Sequence, residues 1–183
     1  MSEEYLIHHG APTLAGLKTG SLFPCVYESY DHLKKEIRAV NRALARKGLR
    51  LIPLRHGGGR ALLYLYRPSR LGRDLARAEA AELLLDAGYT DLRQESCLHE
   101  LMRRLQTFGE FPHEIGLFLS YPPEDVRGFI EHGGHDSKCC GCWKVYGDVK
   151  RAQELFSRYK KCTDCYRRQS AMGVPIDRLA VTV

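Results

Sequence analysis

Leu49-Arg50-Leu51-Ile52-Pro53-Leu54-Arg55-His56-Gly57-Gly58-Gly59-Arg60-Ala61-Leu62-Leu63-Tyr64-Leu65-Tyr66 is the stretch that decides the fold class. Two apolar runs, Leu49 to Leu54 and Arg60 to Tyr66, flank three glycines, which predicts a β-hairpin with a loose loop. Upstream, Leu33, Ile37, Val40 and Leu44 recur at helical spacing between a capping Ser29 and Gly48. Before that helix, Leu22-Phe23-Pro24-Cys25-Val26-Tyr27 reads as a short strand, with Pro24 marking an edge or a strand start. Downstream, a helix is expected from Pro68 to Gly88 and another from Asp91 to Gln106. Ile115 to Tyr121, a continuous apolar run, reads as a buried central strand, and Pro123-Glu124-Asp125 as a first helical turn. Trp143 to Tyr146 reads as a strand, Asp148 to Arg168 as a helix and Leu179 to Val183 as a terminal strand. The expected architecture is therefore an α+β single-domain sandwich with a mixed sheet, built on a ferredoxin-like βαββαβ core with a C-terminal βαβ extension. Residues 1–21 are expected to be an N-terminal loop segment, and residues 139–165 a cysteine-rich strand-helix unit.

The 183 residues carry a formal net charge of +6, with 44% hydrophobic and 27% charged side chains. That composition fits a globular domain. No apolar run reaches the roughly 18–20 residues needed to cross a bilayer, and no apolar segment follows Met1-Ser2-Glu3-Glu4 as a secretory signal would require. A cytoplasmic location is expected, with no membrane partner. Arg38, Arg42, Arg46 and Arg50 form one basic series and Arg67, Arg70, Arg73 and Arg77 another; each reads first as a solvated helix face. As a docking surface, either would suit an acidic protein. Nucleic acid is disfavoured, because no exposed aromatics interleave with the arginines.

In a reducing compartment, seven cysteines point to metal or thiol chemistry rather than to a disulfide framework. Cys139-Cys140-Gly141-Cys142 and Cys162-Thr163-Asp164-Cys165 form two C-x2-C pairs at zinc-site spacing, with His132 and His135 just upstream. A strand of roughly 16 Å followed by a returning helix of roughly 21 Å could bring the pairs face to face. Zn2+ held by Cys139, Cys142, Cys162 and Cys165 is the leading reading; haem or an iron–sulfur cluster, thiol redox chemistry and plain packing are the alternatives. Packing draws support from Cys162, which shares an apolar stripe with Ala152, Leu155, Phe156, Tyr159 and Tyr166. Cys140 could replace either pair-mate, and Lys138 and Lys144 would raise thiol reactivity. Cys25, Cys97 and His99 read as structural.

A second reading is a small-molecule enzyme. His113 and Glu114 form a polar dyad suited to acid/base or orienting work, although Leu117 stands where a zinc-protease motif needs its second histidine. Thr13 and Lys18 lie in a glycine-rich segment, residues 8–21, able to meet an anionic ligand, but its spacing is not that of a phosphate loop. Cys142 would serve as nucleophile or redox centre.

Ala11-Pro12-Thr13-Leu14-Ala15-Gly16, Phe111-Pro112-His113-Glu114-Ile115-Gly116-Leu117-Phe118-Leu119, Tyr121-Pro122-Pro123-Glu124-Asp125-Val126 and Cys142-Trp143-Lys144-Val145-Tyr146 together resemble a bacterial family, domain of unknown function family 3793, found mainly in anaerobic Firmicutes. The resemblance implies a cytosolic, low-oxygen setting in which thiolates and iron cofactors persist, and it implies no activity. It also implies that Cys142 and Cys162 are more general to the family than the four-cysteine pattern. The family often has a cysteine before Ala-Pro-Thr; here that position is Gly10.

Overall fold

β1 (Gly20–Val26), β2 (Arg50–Gly57) and β3 (Arg60–Tyr66) form one antiparallel sheet in the order β1-β3-β2. The expected hairpin is β2-β3, and it turns at Gly58 and Gly59, whose φ angles of 55° and 74° suit residues without a Cβ. The flanking strands each carry a proline, Pro24 in β1 and Pro53 in β2, and β2 slips register between Pro53 and Arg55. Prolines and a bulge blunt sheet edges that would otherwise offer free backbone groups.

The computed structural model describes residues 2–107 and 111–183. Its contacts divide the chain into two units, Met1–Ser69 with Tyr159–Val183, and Arg70–Arg158. In the first unit, α1 (Glu3–Leu14), α2 (Tyr30–Leu44) and α9 (Ile176–Leu179) supply Leu6, Ile7, Leu14, Leu33, Ile37, Leu44 and Ile176 to one core with Phe23, Leu51, Leu63 and Leu65 of the sheet. The second unit holds α4 (Ala78–Asp86), α5 (Gln94–Thr107), α6 (Ile115–Phe118), α7 (Pro123–Glu131) and a two-residue hairpin, β4 (Cys139–Cys140) with β5 (Lys144–Val145). α3 (Pro68–Leu75) and α8 (Val149–Ala171) straddle the division. No helix among the described residues is long and apolar enough to cross a membrane.

The α+β class stands, but the sheet differs from the mixed, ferredoxin-like one expected: among the described residues every strand pair is antiparallel. The missing central strand is residues 115–121, where α6 forms instead. A short apolar run satisfies a buried helical turn as well as a buried strand, and Gly116 lets Val126 and Tyr121 close over it, where a Cβ would collide with Val126 and crowd Tyr121. The expected terminal strand is also absent. α9 occupies Ile176–Leu179, and beyond it Val181 N–H donates to Leu14 O rather than to a ladder. The helix expected from Pro68 to Gly88 is two helices, α3 and α4, broken at Ala76–Arg77.

The expected N-terminal loop is largely α1. Ser2 caps it by accepting from Tyr5 N–H at 3.2 Å, Glu3 and Glu4 oppose the positive end of its dipole, and Pro12 sits in its last turn. Its glycine and proline masked an apolar spacing of Leu6, Ile7, Gly10, Ala11 and Leu14, all buried. Arg67 likewise leaves the solvated series assigned to it. It is 1% exposed, and its guanidinium donates to the carbonyls of Thr13, Leu14, Lys47 and Val181 at 2.7–3.0 Å. Thr13 and Leu14 end α1 and Lys47 ends a 3-10 turn, positions whose carbonyls are open to outside donors, and Val181 lies in the C-terminal strap beyond α9.

Candidate functional site

The second unit is organised by Asp125, which α7 presents from its first turn with 3% exposure. One carboxylate oxygen accepts from the backbone N–H groups of Tyr146 (2.7 Å) and Gly147 (2.8 Å), and the other from the indole N–H of Trp143 (2.7 Å). Trp143 is in turn flanked by Tyr121, stacked at 4.8 Å, and by Phe156, edge-on at 4.5 Å. Gly128 allows Tyr146 to lie on α7, since a Cβ there would overlap the ring. His132 then stacks on Tyr146 with ring centroids 5.5 Å apart. These contacts lock the Tyr121–Val126 and Cys142–Tyr146 segments together.

Between α7 and the N-terminal half of α8 lies a cleft of about 620 Å³. Its apolar part comes from Ala80, Leu117, Pro122, Pro123 and Leu155; its polar part comes from both charge signs and Tyr146. One face of α7 supplies Glu124, Arg127, Gly128 and Glu131, residues at i, i+3, i+4 and i+7 that share a side of a helix. Four carboxylates, Asp74, Glu79, Glu124 and Glu131, meet three guanidiniums, Arg77, Arg127 and Arg151. Arg127 already bonds Glu82 at 2.9 Å and Arg77 approaches Asp74 at 3.8 Å. Glu79 and Glu131 form no salt bridge among the described residues, so the lining carries one more carboxylate than guanidinium within a chain of net charge +6. Ser120, also on its wall, is held at φ 56°, a left-handed conformation costing a non-glycine residue about 1 kcal/mol. Such strain gathers where surrounding structure fixes a functional loop.

The family model described as protein of unknown function (DUF3793) matches residues 6–180. The chain belongs to the DUF3793 family. No curated protein and no solved structure shows significant similarity to it.

The motif segments of this DUF3793 protein have distinct structural roles. Thr13 is fully buried, its hydroxyl 2.9 Å from that of Ser21, and Lys18 follows α1 with its N–H bonded to Pro12 O. Both belong to the first unit, whereas His113, Glu114 and Cys142 belong to the second. His113 and Glu114 diverge. The imidazole is exposed and meets Phe129 edge-on at 4.9 Å. Glu114 is buried, where it accepts from Tyr89 O–H at 3.1 Å and pairs with Arg104 at 3.4 Å. Burial, then the Glu114 charge, push the Tyr89 hydroxyl far above its ordinary range. Arg104 also donates to Ala87 O and Glu100 and lies over the Tyr89 ring. The group has the connections of a packed polar core.

Among the cysteines, Cys139, Cys140 and Cys142 lie in the second unit and Cys162 and Cys165 in the first. Cys139 pairs with buried Val145 and Cys140 with Lys144 in the β4-β5 hairpin, so alternation sends their thiols to opposite faces. Burial pushes the Cys162 thiol up to about 11, and Cys165 adds to the shift. Among the described residues, no three His, Cys, Asp or Glu side chains gather as a metal would require. Cys25 and Cys97 are buried, as expected of structural cysteines, and His99 is exposed.

Sequence reasoning quoted Tyr121 to Asp125 for its likeness to a family, and missed Ser120, Arg127, Glu131 and Arg151 as a site. The available signal was the polar i, i+3, i+7 row of α7 interrupted by a glycine, a pattern that opens space on one helix face.

Proposed function

We propose that this DUF3793 protein binds a small organic cation, an amine-bearing compound with an apolar body, in the cleft beside α7. The observation that carries the reading is the excess of carboxylates over available guanidiniums in a cleft that also presents an aromatic ring and an apolar floor. Carboxylates in a walled cleft concentrate counter-ions, and the Tyr146 ring face attracts an ammonium through its quadrupole. The apolar floor favours a ligand whose carbon skeleton leaves water. Two family segments meet at this cleft, held together by the Asp125 hydrogen bonds.

A thiolate zinc centre is less well supported. A thiol must lose its proton to ligate, the raised Cys162 thiol resists that, and among the described residues no three candidate ligands gather as a metal would require.

The reading is tested by thermal unfolding with putrescine, spermidine and tyramine, and with succinate as an anionic control. An amine present at 100 times its Kd adds about 2.7 kcal/mol of stability, read as a rise in Tm. A rise with succinate and none with any amine would contradict the reading.

A further inference from the structure

The two units have opposite charge. Met1–Ser69 with Tyr159–Val183 carry sixteen Lys and Arg against seven Asp and Glu, a net of +9, whereas Arg70–Arg158 carry twelve against fifteen, a net of −3. The excess is concentrated. From Ile37 to Ser69 there is no Asp or Glu, but there are eight Lys and Arg. Arg67 is buried on backbone carbonyls, which leaves seven nearer the surface.

Arg38 and Arg42 on α2, and Arg46 in the 3-10 turn that extends it, are exposed. They recur every fourth residue, advancing about 6 Å per step, on the side opposite the buried Leu33, Ile37 and Leu44. None of the three forms a salt bridge among the described residues. Of the acids on the helix, Asp31 pairs with Lys34 at 2.8 Å and feels Arg38 more weakly, and Glu36 lies 3.5 Å from His32. At the N-terminal end of α2, Tyr30 stacks on exposed His56 with centroids 3.9 Å apart and an interplanar angle of 20°, and the Lys34 ammonium lies 4.8 Å from the Tyr30 ring centre. The α2 row supplies cations and the stack at the N-terminal end of the same helix presents the exposed His56 ring, the two components that bind single strands, cations meeting phosphates and a ring meeting a base. The aromatic component that a sequence reading finds lacking comes from β2, nearly twenty residues past the first arginine of the row.

We propose that the α2 face of the first unit binds a single-stranded polynucleotide through Arg38, Arg42 and Arg46, with the Tyr30–His56 stack receiving a base. The site is separate from the cation cleft and does not depend on it. The test is fluorescence anisotropy of a labelled 20-nucleotide oligouridylate and its deoxy counterpart, which also distinguishes RNA from DNA, at 50 and 200 mM salt. With about four phosphates neutralised, affinity falls roughly 50-fold between the two salt concentrations. Arg38→Glu combined with Arg42→Glu and Arg46→Glu abolishes binding with unchanged Tm, because all three side chains are in solvent. His56→Ala weakens oligouridylate about tenfold and leaves binding of polyphosphate unchanged. Absence of saturable binding at 50 mM salt, or affinity unaffected by the charge reversals, overturns the proposal. So does polyglutamate binding as tightly as the oligonucleotide, which would assign the face to an acidic protein.

Discussion

The indole N–H of Trp143 donates to the Asp125 carboxylate at 2.7 Å, and the other oxygen of that carboxylate receives two backbone N–H groups. This one buried carboxylate ties the start of α7 to the segment after the cysteine hairpin, and so sets where Tyr146 faces the cleft. Hydrogen bonds to a charged group each contribute about 1.5–3 kcal/mol. Asp125→Ala is therefore expected to destabilise the protein by about 3 kcal/mol or more, and Asp125→Asn by less, since an amide oxygen still accepts. Trp143 is the sole tryptophan, so urea unfolding followed by its fluorescence reads both the stability change and the altered indole environment. Unfolding midpoints equal to the parent would contradict this role.

Arg67 offers a second test. Lys carries three rotatable donors on one nitrogen and cannot span carbonyls arranged around a planar fork. Arg67→Lys is expected to cost about 2–3 kcal/mol, because one ammonium cannot replace the guanidinium's bonds to four carbonyls at once, measured by chemical denaturation. A loss under 0.5 kcal/mol would show that the four carbonyls need no guanidinium.

Thiol reactivity should rank the cysteines. With its thiol raised to about 11, Cys162 is almost wholly protonated at pH 8, and the thiolate is the reactive form. Iodoacetamide labelling mapped by mass spectrometry is expected to modify the exposed Cys140 and Cys142 at least tenfold faster than Cys162, with the Cys162 rate still rising between pH 9 and 11. Equal rates at pH 8 would contradict the burial of that thiol.

Acid stability carries a signature of α5. The Arg103 hydrogen bond, with help from Arg104, holds Glu100 down to about 2 from 4.5. A depressed carboxyl contributes stability that is present above its unfolded pKa and is lost as pH falls through the folded one. Glu100→Gln is thus expected to lower Tm at pH 6 and to make little difference at pH 2. A Tm difference independent of pH over that range would contradict the pairing.

The first unit was the more legible in the sequence, because its core strands and α2 obey simple periodicities: Leu33, Ile37 and Leu44 on one helix face, and two apolar runs about three glycines. α1 was hidden by Gly10 and Pro12, whose local preferences oppose a helix that tertiary burial nonetheless stabilises. Ile115 to Tyr121 misled for a different reason, since an apolar run without alternation looks the same in a buried strand and a buried turn. For the site, the cysteine spacing was conspicuous but carried no information about which thiols meet, whereas the apolar stripe of α8 did turn Cys162 inward, in keeping with its burial-raised thiol. Asp125 was read as a helix-starting residue and as part of a family segment but not as an anchor, because its three donors come from residues 18 to 22 positions later, a distance that no local pattern spans.

The most direct test of the cation cleft is isothermal titration of the protein with putrescine, spermidine and tyramine at 50 mM salt, repeated with Glu124→Gln combined with Glu131→Gln. Both side chains are exposed on α7, so the variant retains its fold and Tm. The expected result is saturable one-to-one binding of at least one amine, weakened tenfold or more in the variant, or about 1.4 kcal/mol. No saturable heat with any of the three, or an affinity unchanged by removing both carboxylates, would contradict it.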